Sequence, residues 1–329
     1  MPIAPSSSSI QTTALLVPIA LLAACGGRQS VPDVPPVVRE LVLDDLEFEL
    51  RSDSVTLMTS EGTLLDTTQL VAEVAGIDVV YLGEEHDQQS HHDLQSEVIN
   101  QLAASGNVTV ALEMVIRSRQ PILDLYSAGR INERRMWNAL HWENTWGMDR
   151  ALYRGVFTSA EEPTVRLLAI NIDRGLTQRV FQRGIEELGA FDRQQLPRDY
   201  DFSNEAYAAY LESVLAEHMA PDDPDFAGWA ERFIEAQLTW DEYMAESIAH
   251  DIDAGGDGIW VAVVGSGHVQ HRWGIPSRVV RRLEDVTDFT VVCSTVEAEF
   301  TDEELVAAVR DRLADPDGDV LCFSLRVAQ

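Results

Sequence analysis

The chain has 329 residues and a formal net charge of −31, and all of its 24 basic residues are arginines. A surface this acidic repels nucleic acids and anionic lipids, so the composition excludes a nucleic-acid-binding function. The length is sufficient for one large α/β domain, or for such a domain with an insertion.

The first 24 residues carry no charged side chain, and their apolar run is too short to span a bilayer. Small residues directly before Cys25 resemble a bacterial lipobox, which implies cleavage before Cys25 and acylation of its thiol. The segment lacks the basic residues with which export signals usually begin. We expect a lipoprotein signal peptide at 1–24 and a lipid anchor at Cys25. On the same resemblance, Gly26 favours the outer membrane, with the protein facing the periplasm.

The segment after the signal peptide, 25–38, is rich in glycine and proline, which predicts a tether with polyproline character. We assign residues 39–329 to a single α/β domain. A strand or hairpin is predicted near 46–58, with Glu61–Gly62 as its turn.

Six further apolar, β-branched runs predict the strands of the main sheet. They lie at 78–82, 108–112, 165–170, 259–264, 289–295 and 319–325. Amphipathic helical stretches separate them, of which Gln89–Ala104 is the clearest. Alternation of strands and helices at this spacing predicts an α/β fold with a mainly parallel sheet flanked by helices.

Two stretches, about 117–160 and 174–258, have helical patterns and no convincing strand. We predict that they form a helical cap over the C-terminal ends of the strands. The first stretch carries seven arginines against four acidic residues between Arg117 and Arg154. This local positive charge favours an anionic ligand, although a solvated helix face explains it equally well.

Two of the predicted strands end in a glycine turn followed by a histidine. The first gives Gly83-Glu84-Glu85-His86, and the second gives Gly265-Ser266-Gly267-His268. Ligands of parallel α/β sheets bind beyond the carboxyl ends of the strands, so the two histidines could face one pocket. Imidazole is a ligand for metals and for haem iron, and it is also a general base.

Polar residues also follow the neighbouring strands. Glu113 emerges from an apolar strand, where a carboxylate is costly to bury unless it is paired or bound to a metal. His86, Glu113 and His268 could therefore hold a divalent metal with one position open for water. Asn171 and Arg174 follow the third strand and could orient Glu113 or bind a ligand carboxylate.

Four other residues have two interpretations each. On the helix after the first motif, His92 and Gln95 share a face whereas His91 points elsewhere, and the two histidines are either part of the site or surface residues. Cys293 and Cys322 lie in the middle of two late strands and are not spaced as metal ligands. A disulfide between them and a pair of buried free thiols are both compatible with this placement.

Several motifs occur together and in order over roughly 76–280. They are Gly-Glu-x-His with a trailing His-His and Gln, Ala-Leu-Glu-Met at 111–114, Trp142-x-x-x-Trp146-Gly147 followed by Tyr153, Ile170-Asn171-x-x-Arg174, Gln237-Leu-Thr-Trp-Asp241, and Gly-Ser-Gly-His with a later Gly274-Ile-Pro276. As a set they resemble the ChaN-like haem-binding lipoproteins of the Tiki and TraB superfamily.

The resemblance implies binding of haem or a related tetrapyrrole at the outer membrane, for iron acquisition. Haem iron in that family is thought to be held by tyrosine, and Tyr153 is the matching position. Trp142 and Trp146 would then be apolar walls, and Arg150 and Arg154 would pair with the haem propionates. A haem exposed on the cap could be shared by two protomers of a homodimer.

The same superfamily also contains metal-dependent peptidases and hydrolases, which provide the alternative function. In that case His86, Glu113 and His268 would bind a divalent metal that activates water, and Glu84 would be the general base. A scaffold with a relic site is a third interpretation, which the retained polar residues disfavour.

Overall fold

The computed structural model describes residues 35–327. The predicted signal peptide, Cys25 and most of the predicted tether lie outside this range. Among the described residues, no helix is both long enough and apolar enough to cross a membrane.

The described residues form ten strands, of which eight make up one sheet. The strands are β1 (Val38–Leu43), β2 (Leu46–Arg51), β3 (Thr56–Thr59), β4 (Leu64–Leu65), β5 (Val79–Glu84), β6 (Val108–Ile116), β7 (Val165–Asn171), β8 (Ile259–Gly265), β9 (Asp288–Glu297) and β10 (Val320–Arg326). The sheet order is β4-β3-β10-β9-β5-β8-β6-β7, and β1 and β2 form a separate antiparallel hairpin. All pairings from β10 to β7 are parallel, whereas β3 and β4 pair antiparallel.

Helices connect the strands and cover both faces of the sheet. They are α1 (Thr67–Glu73), α2 (Gln89–Ala103), α3 (Gln120–Ser127), α4 (Glu133–Leu140), α5 (Trp142–Thr145), α6 (Arg150–Thr158), α7 (Arg174–Arg183), α8 (Ala190–Arg193), α9 (Glu205–Ala216), α10 (Phe226–Asp253), α11 (Ile275–Arg282) and α12 (Asp302–Ala314). The predicted fold class, a mainly parallel sheet flanked by helices, is confirmed.

The central strands are buried on both faces, as parallel strands usually are. In β5, Val80 and Leu82 face the core that α2, α3, α4 and α6 cover, and Val79 and Tyr81 face the core beneath α10 and α11. The helices of 117–160 therefore pack on one face of the sheet. The second half of α10 packs on the other face through residues such as Ile248, so part of the predicted cap also belongs to the flanking layer.

The predicted strands are present, with shifted ends. All six strands predicted for the main sheet occur, and Glu61–Gly62 lies in the turn between β3 and β4. Sequence analysis did not predict β1, whose first residue, Val38, is the last residue of the predicted tether. Buried Leu41 and Leu43 alternate with exposed Glu40 and Val42, but because Val42 is apolar the sequence itself shows no alternation of polar and apolar residues.

A buried ion cluster joins α10 to α11, the helix that follows the second histidine motif. Glu242 is fully buried, and its carboxylate lies 3.2 Å from Arg278, 2.8 Å from Arg281 and 2.6 Å from Arg282. It also accepts a hydrogen bond from the backbone N–H of Asp201 at 2.7 Å. One carboxylate thus fixes the position of α11 against α10.

Replacing Glu242 by Gln is expected to lower the free energy of unfolding by about 3–5 kcal/mol, because it leaves the buried guanidinium of Arg278 without a counter-charge. The matched control is Glu246→Gln on the same helix, whose half-exposed carboxylate lies 3.5 Å from Arg117. It should change the free energy by less than about 1 kcal/mol. Urea denaturation measures both, and equal effects would show that the cluster does not hold the two helices.

Candidate functional site

The two histidine motifs meet in one cleft at the C-terminal ends of β5, β6 and β8. Strands β5 and β8 are neighbours, and Glu84 pairs with Gly265 in their register. The cleft has a volume of about 110 Å³. Its walls combine the strand ends with residues from both helical stretches, among them Trp146, Arg174 and Trp240.

The glycine of each motif makes room for the other motif. A Cβ atom on Gly83 would lie 2.9 Å from Val269 Cγ2 and 3.0 Å from Ser266 Cα, in the loop of the second motif. A Cβ atom on Gly265 would lie 3.0 Å from the imidazole of His86, in the loop of the first. Such distances are tighter than almost all real Cβ contacts, so a side chain at Gly83 or Gly265 would force the facing loop or the His86 ring to shift.

The buried carboxylate of Glu84 contacts four side chains around the first motif. Its Oε1 accepts a hydrogen bond from the Tyr153 hydroxyl at 2.8 Å and lies 2.8 Å from His86 Nδ1. Its Oε2 accepts from the Gln95 amide at 2.8 Å and lies 3.1 Å from His92 Nδ1. Burial alone would raise the pKa of Glu84, but the charges and hydrogen bonds of His92 and His86 outweigh it and hold this pKa well below its usual range.

The next residue, Glu85, anchors the same loop from the opposite side. Its carboxylate accepts hydrogen bonds from the backbone N–H and the hydroxyl of Thr295, both at 2.7 Å. It also pairs at 2.5 Å with Arg326, which binds Asp87 at 2.7 Å. The two adjacent glutamates therefore have different roles: Glu84 organises the cleft, and Glu85 ties the loop to β9 and β10.

His268, the histidine of the second motif, is held by helix α10. Its Nδ1 lies 2.5 Å from Asp241 Oδ1 and 3.1 Å from the Gln237 amide nitrogen. The other oxygen of Asp241 accepts a hydrogen bond from the buried Tyr207 hydroxyl at 2.7 Å. Burial would lower the pKa of His268, but the charges of Glu113 and Asp241 outweigh it and raise this pKa to about 10.

Glu113 lies between the two histidines. Its Oε2 accepts a hydrogen bond from the backbone N–H of Gly265 at 2.6 Å. Its Oε1 is buried without a hydrogen-bond partner, 3.5 Å from His268 Nε2 and 3.9 Å from His86 Nε2. Burial would raise the pKa of Glu113, but the charge of His268 outweighs it and the pKa is lowered. Glu113 Oε1 thus lies near both Nε2 atoms, and each histidine is fixed through its Nδ1.

All five residues predicted for a polar pocket line this cleft: His86, Glu113, Asn171, Arg174 and His268. The Asn171 amide donates to the backbone carbonyl of Glu113, and its carbonyl accepts from the Trp240 indole at 2.5 Å. Asn171 therefore orients Glu113 through the backbone. Arg174 is exposed at the start of α7, at the mouth of the cleft.

Of the residues predicted to bind haem, only Trp146 lines the cleft. Tyr153 is fully buried, and burial, followed by the carboxylate of Glu84, raises its pKa well above the usual range. Trp142 is also buried, and its indole donates to the Met148 carbonyl at 2.7 Å. Trp146 is half-buried and packs edge-on against both His86 and Tyr153, with ring centroids 4.9 and 6.2 Å apart. It is therefore the lining tryptophan that packs against Tyr153.

The two arginines predicted to pair with propionates, Arg150 and Arg154, are exposed on α6 and do not line the cleft. Arg154 forms a salt bridge with Glu133 at 3.0 Å, which compensates part of its charge. Arg174 is the arginine that reaches the cleft.

The two histidines of α2 are buried rather than at the surface. His92 and Gln95 share a face, as predicted, and both contact Glu84. His91 points elsewhere, also as predicted: its Nδ1 accepts the backbone N–H of Glu85 at 3.1 Å, and its Nε2 lies 3.0 Å from the Ser324 hydroxyl. Burial, together with the charge of His92, lowers the pKa of His91 to about 3.

Cys293 and Cys322 are buried free thiols that lie opposite each other on β9 and β10. Their sulfur atoms and a ring nitrogen of His91 all lie within 4.8 Å of one another, a proximity that the spacing in sequence did not indicate. Because His91 Nδ1 accepts a hydrogen bond, its proton resides on Nε2, and that nitrogen has no lone pair for a metal. We therefore interpret the group as a packing cluster.

Sequence analysis missed the residues that hold His268 in place. Asp241 and Gln237 belong to motifs that it recognised, but no role was assigned to them, and Tyr207 was not considered. A signal is visible in retrospect: Asp241 shares a helix face with the buried Met244 and Ile248, where an unpaired carboxylate would be costly.

The lowered pKa of His91 predicts loss of stability in acid. A histidine whose folded pKa lies below its unfolded value stabilises the fold fully above about pH 6.5, and this contribution is lost as the pH falls towards 3. His91→Gln should therefore be less stable than the wild type near pH 7, by a few kcal/mol at most, and the difference should shrink towards pH 4. Urea unfolding across this range, with the exposed His218→Gln as control, measures it. A difference that does not depend on pH would contradict the assignment.

Comparison with known proteins identifies one family and several structurally similar chains. A family model described as "Haem-binding uptake, Tiki superfamily, ChaN" matches residues 70–279. No curated protein matches significantly. A solved structure described as cofacial heme binding to ChaN of Campylobacter jejuni is similar over 82% of this chain and 96% of that chain, with 19% identity and a TM-score of 0.62.

Two other solved structures are less similar. The alignment with the type III effector HopBA1 covers 80% of this chain and 94% of the effector, with 12% identity and a TM-score of 0.43. The alignment with a mutant of the erythromycin esterase EreC in its open conformation covers 74% of this chain and 78% of the esterase, with 12% identity and a TM-score of 0.44. At such identities, structural similarity shows the fold alone, and scores this low carry no argument. The family model, in contrast, matches well over half of the sequence. The chain therefore belongs to the ChaN family of haem-binding uptake proteins, within the Tiki superfamily.

Proposed function

We propose that this protein binds haem as an exported, lipid-anchored component of haem or iron uptake at the outer membrane. The observation that carries the proposal is its membership of a family described as haem-binding uptake. The lipobox-like sequence before Cys25 supports the anchor and the periplasm-facing location.

The cleft fits one face of a haem rather than a whole haem. Its volume of about 110 Å³ is below the roughly 300–1,000 Å³ of sites that enclose ligands of this size. The lining around the mouth includes apolar side chains, among them Trp146, Met148 and Ile172, and the exposed Arg174 is a suitable partner for a propionate. We therefore propose that haem lies across the mouth of the cleft, with these side chains against its face.

Tyr153 is the proposed iron ligand, but in the present conformation it is buried and does not line the cleft. Its hydroxyl is directed at Glu84, so binding to iron requires movement of Trp146 and loss of the tyrosine proton. Trp142 is fixed by its hydrogen bond to Met148, whereas the buried indole N–H of Trp146 has no acceptor. Of the two tryptophans, Trp146 is thus the one with no hydrogen bond to break.

The test is a titration of the purified protein with hemin, followed by visible absorbance. The wild type should show a saturable, stoichiometric spectral change, and Tyr153→Phe should weaken hemin affinity by more than about tenfold, because it removes the only oxygen of that side chain. Tyr126→Phe is the matched control, since Tyr126 is also buried but its hydroxyl has no partner. Absence of saturable binding would refute haem binding, and an unchanged affinity in Tyr153→Phe would refute the ligand assignment.

A second candidate function, a metal-dependent hydrolase, is favoured by a specific observation at the bottom of the cleft. His86 and His268 each have Nδ1 held by a buried carboxylate, which is the arrangement that orients metal-binding histidines. Glu113 Oε1 has no partner and lies 3.5 and 3.9 Å from the two Nε2 atoms. Ligand atoms about 2.1 Å from a tetrahedral metal are separated by about 3.4 Å, so the Glu113–His268 distance fits such an ion, and a site with all three ligands requires the two imidazoles to move towards each other.

His86, Glu113 and His268 would hold such an ion, which would activate water for attack on an amide or ester. The partners already bound to both oxygens of Glu84 make that residue a positioning group in this conformation, and this differs from the general base that sequence analysis assigned to it. Asp241 has the corresponding position behind His268.

Metal analysis after dialysis tests this second function. The wild type should retain about one divalent ion per chain, and His86→Ala or His268→Ala should lose it, because two of three protein ligands are too few. Asp241→Asn should weaken affinity by about 10–100-fold, as the loss of a residue behind a ligand usually does. His250→Ala, an exposed histidine outside the cleft, is the control. Unchanged metal content in both ligand variants would rule out the site.

A further inference from the structure

A second cavity lies beside β7, the strand at one end of the main sheet. It is lined by Leu168 and Ala169 of that strand, by α10 and by the segment 194–198 that follows α8. It has no lining residue in common with the cleft. We propose that this cavity binds a small organic anion through a carboxylate or phosphate group, which Arg117 and Arg198 hold. The proposal goes beyond haem binding and does not depend on it.

The size of the cavity fits an organic molecule rather than an inorganic ion. Its volume is about 590 Å³, against about 110 Å³ for the cleft. Sites for small molecules usually have volumes of about 300–1,000 Å³. Leu168 and Leu196 give the cavity an apolar portion, so the carbon skeleton of a ligand has side chains to pack against.

Arg117 is held in place before any ligand binds. Its Nε and Nη2 donate to the Ser247 hydroxyl at 3.0 and 2.5 Å, and its guanidinium lies 4.3 Å from the centre of the Tyr243 ring. None of the hydrogen bonds of Arg117 uses Nη1, which is therefore available as a donor. A guanidinium that is already fixed loses little freedom when it binds a carboxylate or phosphate.

Arg198 provides a second guanidinium, and no protein group compensates its charge. It is exposed, and its side chain has no salt bridge, hydrogen bond or ring contact with any other described residue. All of its N–H donors are therefore available to a ligand. An anion with two or more oxygen atoms can bind this guanidinium through two parallel hydrogen bonds.

The two carboxylates that line the cavity do not cancel this positive charge. Asp251 is bound by Arg166 and accepts a hydrogen bond from the Trp260 indole at 2.9 Å. Glu246 is half-exposed and lies 3.5 Å from Arg117, and an exposed pair at this distance contributes little. Two guanidinium groups thus face one weakly bound carboxylate, and a bound anion compensates the excess positive charge.

The test is a titration of the purified full-length protein with benzoate, phenyl phosphate and benzamide, followed by saturation-transfer NMR of the ligand. The three probes share one ring and differ in charge. Benzoate or phenyl phosphate should bind saturably, with a dissociation constant of about 1 mM for molecules this small, and neutral benzamide should not. The anion that binds more tightly identifies the group that the cavity prefers. Absence of saturable binding of both anions, or equal binding of benzamide, would overturn the inference.

Two substitutions with opposite expected effects locate the bound anion. Arg198→Gln removes the uncompensated guanidinium and should weaken binding by about tenfold or more. Glu246→Gln removes the carboxylate that competes for Arg117 and should strengthen binding by about two- to fivefold. A general loss of structure cannot produce both effects. The matched control is Arg134→Gln, an exposed arginine of α4 that does not line the cavity, and it should leave the affinity unchanged.

Two results would contradict the site. One is an affinity of Arg198→Gln equal to that of the wild type. The other is weaker binding in Arg174→Gln without a change in Arg198→Gln, which would place the anion at the mouth of the cleft. Either result leaves the proposal of haem binding unaffected, because the cleft and the cavity have no lining residue in common.

Discussion

The complete burial of the Glu84 carboxylate is the constraint on which the rest of the site depends. A buried carboxylate is strongly destabilising unless charged or polar partners replace its lost hydration. Glu84 obtains these partners from the loop after its own strand, from two positions on α2 and from α6. Tyr153 thus binds a group that would be costly to leave unsatisfied. The packing of α2 and α6 against the sheet is in this way tied to the geometry of the cleft.

The same arrangement occurs at the second motif, with a different source for the carboxylate. Glu84 lies two residues before its histidine, whereas Asp241 comes from α10 and reaches His268 across a 27-residue separation. In both cases the carboxylate fixes Nδ1, so that Nε2 is directed towards Glu113. The pKa values of Glu84 and Glu113 are lowered, and those of His86, His92 and His268 are raised. Opposite charges therefore compensate one another inside the fold, and the histidines are oriented before any ligand arrives.

Local patterns in the sequence indicated where the strands end, but they did not indicate the contacts between distant segments. Apolar runs that end in Gly-x-x-His or in Glu113 are local patterns, and the parallel sheet brings them to one edge by a general rule, so the polar pocket could be predicted. The role of Tyr207 depends on how α9 packs against α10, which no local pattern specifies. The burial of Tyr153 was missed for the same reason, because the motif that contains it gives no information about which tryptophan covers it. Strand β1 was missed because apolar Val38 and Val42 lie on its exposed face, so that no alternation of polar and apolar residues marks it.

Haem binding alone does not obviously require a cleft with two oriented histidines and a buried glutamate. The hydrogen bonds of Glu84 give a physical reason why both features occur together. If His86 and His92 were replaced by apolar residues, the carboxylate that receives the Tyr153 hydroxyl would lose its compensating charges, and α6 would lose the polar group on which Tyr153 is anchored. The polar cleft is thus part of the structure that holds Tyr153, whether or not an ion ever binds there. The presence of the two histidine motifs is therefore weaker support for hydrolysis than Glu113 Oε1. This oxygen has no hydrogen-bond partner, so no hydrogen bond within the cleft explains why it is there.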